Sequence, residues 1–175
     1  GWDGAERRMV RQLLDAGGMP NLRRLADRGR FVDIGITNTT DTKAGWAEIL
    51  TGYDYQRTGA VSNREFIPLG RDYSVFHRIK RFFGTDQVAT AMLGVCKNMK
   101  CAKPEDFYYA WKADLDAFDC ELAWNKETAR AYNRRVTQSV LDFLGKAKGR
   151  RIFAFVHYNN INAAGHHRLY DSKEY

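Results

Sequence analysis

Long hydrophobic runs are missing from this chain. Its longest apolar stretches span only a few residues, as in Ile152 to Val156, far short of the roughly 20 that a membrane-spanning helix needs. Cysteine is scarce: Cys96, Cys101 and Cys120 are odd in number and too few for a disulfide framework. Cys96 and Cys101 either close a small loop or stay as free thiols. No further Cys or His stands beside them, which excludes a zinc knuckle. Proline is rare, with 3 residues, and neither a low-complexity linker nor an internal repeat is present. Acidic residues number 21 against 28 basic ones, a net charge of +7. Charged residues make up 28% and the hydrophobic set 44%, values that exclude disordered and collagen-like chains. The 175 residues suit one domain, or part of one, with a sizeable core.

The basic excess is spread over three groups: Arg7 to Arg30, Arg78 to Arg81, and Arg134 to Arg151. Solvated helix faces explain such scatter, as does a field that favours anionic substrates. No nucleic-acid motif accompanies it, so nucleic acid is not the expected partner.

What the chain does contain is an alternation of helix and strand signals. Ala5 to Asp15 has helical spacing and stops at Gly17-Gly18; Pro20 opens a second helix that Gly29 ends. The second helix has Leu22, Leu25 and Ala26 on its apolar face. Phe31 to Ile36 is β-rich and reads as a strand, and Ala44 to Thr51 as a helix stopped by Gly52. Asp72 to Phe83 is amphipathic, with Val75, Phe76, Ile79, Phe82 and Phe83 expected inward. Val88 to Val95 reads as a buried strand, and Ala102 to Glu121 as irregular and aromatic. Asn125 to Lys146 is the longest helical pattern, with Tyr132, Val136, Val140 and Phe143 on one face. Arg151 to Tyr158 reads as a last buried strand, followed by a polar loop. This order predicts an α/β fold, a mostly parallel sheet sandwiched by helices, with its sites in loops at the carboxyl ends of strands.

Three loops carry suspicious chemistry. Gly1-Trp2-Asp3-Gly4 pins an acid between glycines before a helix, which also suits an ordinary cap. Asp41 to Gly52 places a hydroxyl at a helix N-terminus, a position that suits either a cap or an anion site. Asn159 to His167 sets amides and paired imidazoles after a hydrophobic strand, solvated or ready for a metal.

In order, these are Asp-Gly, then Pro-Asn-Leu-x-x-Leu-Ala-x-x-Gly, then Thr-x₇-Leu-Thr-Gly, then a strand ending in x-x-x-Gly-His. The series resembles the alkaline phosphatase/sulfatase superfamily, and within it the type I phosphodiesterase and nucleotide pyrophosphatase branch. The resemblance implies that residues 1–175 are the N-terminal part of one alkaline-phosphatase-like hydrolase domain acting on small-molecule phosphate esters. It also implies two divalent metal ions, normally zinc, and leaves the compartment open while favouring a periplasmic or extracellular one. Carried over by motif, Thr42 is the nucleophile and Asp3 its metal ligand. His166 is a ligand of the other metal, and Asn63, in Thr-Gly-Ala-Val-Ser-Asn, contacts the transferred group.

The implied chemistry is in-line attack by the Thr42 oxygen, a phosphothreonine intermediate and its hydrolysis, which is a ping-pong scheme. Two departures stand out. Thr42, Ala44 and Trp46 replace the sulfatase Cys/Ser-x-Pro-x-Arg, which argues against a conventional sulfatase. Asn162 stands at the metal-ligating aspartate of Asp-x-x-Gly-His, and a neutral carboxamide binds zinc more weakly than a carboxylate. An impaired relative that binds anions without turnover is therefore the alternative expectation. The family's remaining ligands would fall beyond Tyr175.

Overall fold

The structure, a computed structural model, describes residues 1–35, 39–95, 103–120 and 129–168. Its sheet is built on β1 (Val88–Val95), which pairs in parallel with β2 (Ala117–Cys120) on one side and β3 (Arg151–Val156) on the other. The spatial order is β2-β1-β3. A central parallel strand must be covered on both faces, and β1 is apolar but for Thr90 for that reason. Its side chains alternate. Ala89, Ala91 and Leu93 pack with Phe143 and Ala147, whereas Met92 packs on the other face with Phe76, Trp111 and Phe155.

The first of those layers is α6 (Ala129–Lys146), with Tyr132, Val136 and Phe143 buried as its periodicity predicts. Residues 125–128 of the expected helix lie outside the described residues, as do Cys96 and Cys101. The second layer combines α3 (Thr42–Thr51) and α5 (Val75–Phe83), joined by the short α4 (Tyr55–Thr58) and a 3₁₀ turn at Arg71–Tyr73. A hairpin of α1 (Arg7–Asp15) and α2 (Pro20–Arg28) precedes them, and α7 (Asn160–Arg168) follows β3. Glu6 caps α1 by accepting from Arg8 N and Met9 N, and Ser74 caps α5 in the same manner. The observed fold is therefore α/β, with an all-parallel sheet between helices.

Four expectations need correction. The described part of Phe31 to Ile36, residues 31–35, is not a strand. Val32 is 68% and Ile34 79% exposed, because β-propensity supplies no ladder partner and Asp33 is held by Arg11 instead. The polar loop after β3 is helical from Asn160 onward. Leu25, 67% exposed, Phe82, 81% exposed, and Phe83, 42% exposed, point outward, since one helix stripe cannot bury every apolar residue that the pattern contains. The irregular aromatic stretch contains a 3₁₀ segment, Tyr109–Asp114, and the strand β2. Four residues that include Asp119 give too little alternation to announce a strand.

Asp116, just before β2, ties the amino end of the sheet together. Its carboxylate accepts from Thr90 N at 2.8 Å and Arg150 at 3.2 Å, and pairs with Lys80 Nζ at 2.9 Å. Burial pushes its pKa up, but these three partners outweigh burial and bring it down from 3.8 to about 2. The folded form binds its proton less readily than the unfolded chain does. This contribution is therefore complete above about pH 4 and disappears as pH falls toward about 2. Asp116→Asn should lower stability at neutral pH by about 2 kcal/mol and flatten that part of the acid profile. Urea unfolding near neutral pH and near the acid limit checks both, and an unchanged acid profile would contradict the pairing.

Candidate active site

At the carboxyl end of β3 the first residues of the chain extend the sheet. Gly1 N donates to Val156 O, Tyr158 N to Gly1 O and Asp3 N to Tyr158 O, with Trp2 and Tyr158 in a parallel bridge. This places Asp3 just past the sheet, mostly buried, with its carboxylate turned to the N-terminus of α3. Thr42 is the first residue of α3, and its Oγ1 donates to Asp3 Oδ2 at 3.3 Å. Two residues chosen from motifs 39 positions apart thus meet.

The start of α3 is clamped by the third. Asn63 N donates to Asp41 Oδ2 at 2.9 Å, and Asn63 Oδ1 accepts from Lys43 N at 2.8 Å. Lys43 Nζ donates to Asn63 O at 2.9 Å and lies 3.1 Å from the centroid of the Phe66 ring, a buried cation–π contact. Tyr108 OH adds a bond to Lys43 O. The carbonyl half of the Asn63 amide is thereby committed to the helix, and its orientation is fixed.

The fourth and fifth candidates lie on α7. Asn162 and His166 are four apart, so they share a helix face; Asn162 is half-buried and His166 exposed. Gly4 brings the Asp3 loop against this helix. With φ at +73°, it approaches so closely that an added Cβ would stand 2.5 Å from Asn162 Cα.

One residue that sequence reasoning missed joins the group. His157, fully buried at the end of β3, has Nδ1 3.2 Å from Gly94 O and Nε2 3.6 Å from Asp3 Oδ2. Its Nε2 has no hydrogen-bond partner, and the Trp46 ring packs edge-on at 5.7 Å. The available signal was an imidazole ending an otherwise apolar strand.

Among the described residues, no three His, Cys, Asp or Glu side chains converge on a point. The donor set at Asp3 is mixed: a carboxylate, a hydroxyl and an orphaned buried imidazole nitrogen. Such oxygen and nitrogen donors fit a divalent cation of the zinc type. On α7, a neutral carboxamide and an exposed imidazole fit one less well.

The family model for type I phosphodiesterase / nucleotide pyrophosphatase matches residues 1–175. Neither a curated protein nor a solved structure shows a significant match. The chain belongs to the type I phosphodiesterase / nucleotide pyrophosphatase family.

The Gly4 contact makes a direct test. Gly4→Ala and Gly17→Ala share a left-handed φ, +73° and +75°, but Gly17 has nothing within 4 Å of an added Cβ. Gly17→Ala should cost about 1 kcal/mol and Gly4→Ala clearly more, since backbone must also move. Thermal unfolding measures the difference, and equal costs would show that the Asp3 loop does not press on α7.

Proposed function

We propose that this member of the phosphodiesterase/pyrophosphatase family hydrolyses small-molecule phosphate esters, diesters in particular, with Thr42 as its nucleophile. The observation that supports this most is the meeting of Thr42 and Asp3 at the N-terminus of a ten-residue helix. Thr42 attacks phosphorus, and the bond to the leaving alkoxide or phosphate breaks as the Oγ–P bond forms. The hydroxyl proton already points to Asp3 Oδ2, which is placed to receive it. The N-terminal end of α3 attracts the phosphoryl oxygens. The amino half of the Asn63 side chain, held in orientation by the Lys43 N contact, donates to one of them. Water then cleaves the phosphothreonine and returns the threonine.

Asp3 and Thr42 would hold one divalent cation, most simply zinc, and Asn162 with His166 a second. Such cations supply positive charge that lowers the hydroxyl pKa and offsets charge on the phosphoryl group. Asn162 favours a second reading, in which a poorly held second cation leaves a protein that binds anions and turns over slowly.

In the intact, zinc-supplied protein, Thr42→Ala should reduce hydrolysis of bis(4-nitrophenyl) phosphate by at least about a thousandfold, and Thr42→Ser should keep part of it. Circular dichroism should show both variants folded. Full activity in Thr42→Ala would reject the nucleophile and turn attention to Thr40. Tight inhibitor binding by wild type without turnover would favour the second reading.

A further inference from the structure

The buried imidazole of His157 is not used by the chemistry above. The backbone oxygen of Gly94 can only accept, so the Nδ1 that faces it at 3.2 Å carries the ring hydrogen. Neutral imidazole then presents a bare lone pair at Nε2. That lone pair faces another acceptor, Asp3 Oδ2, at 3.6 Å, in a place shielded from water by Trp46 and Phe155. Two acceptors facing each other at this distance repel unless a hydrogen-bond donor or a cation lies between them.

Distances indicate what that species is. A tetrahedral zinc with ligand bonds of about 2.0–2.1 Å separates neighbouring ligand atoms by about 3.3–3.4 Å. Asp3 Oδ2 is 3.3 Å from Thr42 Oγ1 and 3.6 Å from His157 Nε2. A proton would serve less well. The 3.6 Å separation is too long for an N–H···O hydrogen bond. The Nδ1–H···O=C bond is also the support that metal-bound histidines usually have, fixing tautomer and ring orientation.

The geometry points to His157 Nε2 as a nitrogen ligand for the cation at Asp3 and Thr42, supplied from the end of β3. This inference rests on the metal-dependent reading of that pair. A ligand set of carboxylate, hydroxyl and imidazole would hold the cation with three donors, whatever becomes of the site on α7. It would also add a neutral, fully buried donor from the end of β3 to the carboxylate and hydroxyl at Asp3 and Thr42.

The test is binding rather than turnover. Intact protein, stripped by chelator, is titrated with Zn²⁺ by calorimetry beside His157→Phe and His157→Asn. Wild type should bind zinc, and both variants should lose at least about tenfold to a hundredfold in affinity. Far-ultraviolet circular dichroism of the metal-free forms should stay unchanged. Should neither variant fold, a second measurement needs no change at His157. In protein carrying His166→Gln and His167→Gln, with ¹⁵N-labelled histidine and bound ¹¹³Cd²⁺, a one-bond cadmium–nitrogen coupling to the Nε2 resonance assigned to His157 is expected. Zinc binding by wild type with no such coupling would overturn the ligand role while leaving the metal-dependent reading intact. Loss of affinity in the variants without coupling would do the same and make His157 a positioning residue for Asp3. Absence of any zinc binding to wild type would overturn both.

Discussion

The parallel seating of residues 1–3 on the end of β3 is the constraint from which the site follows. Three backbone hydrogen bonds, from Gly1 N, Tyr158 N and Asp3 N, set the register. A shift of one residue would turn Asp3 to the opposite face of the sheet and away from Thr42. Because β1, β2 and β3 all run the same way, their carboxyl ends open on one edge, where α3 and α7 also begin. Hydroxyl, carboxylate, amide and imidazole reach that edge from four separate segments. None of those segments could assemble the group alone.

Much of the scaffold was legible in the sequence, for physical reasons that can be named. β1 matched its predicted bounds, since a run of eight residues that is apolar but for Thr90, set between turn signals, has few alternatives to a buried strand. Gly29 and Gly84 marked helix ends because a residue after the last turn departs from helical backbone angles, which glycine does readily. Asp3, Thr42 and Asn63 are candidates marked by spaced motifs, and the structure brings the three to the N-terminus of α3.

What stayed hidden depended on partners distant in sequence. His157 has meaning only beside Gly94, 63 residues earlier, and Asp3, near the start of the chain. β2 is held by what surrounds Asp116, Lys80 and Arg150 among them, rather than by its own pattern. Phe31 to Gly35 shows the reverse case: a β-prone stretch with strong local preference and no ladder to join. Asn162 was conspicuous in sequence, and its contact with Gly4 shows that it stands next to the Asp3 loop rather than at a remote surface.

Gly94 is a point where descent is constrained from two sides. It sits where β1 and β2 slip register, with φ at +74°, and its carbonyl accepts from both Tyr132 OH and His157 Nδ1. An added Cβ would collide with His157 O at 2.2 Å and press on Val136 at 3.0 Å. No other residue can enter by a single substitution without disturbing α6 and the end of β3 together. A lineage that alters Gly94 must therefore repack Tyr132, Val136 and His157 at once, which makes this bulge a barrier to gradual drift rather than a tolerant turn.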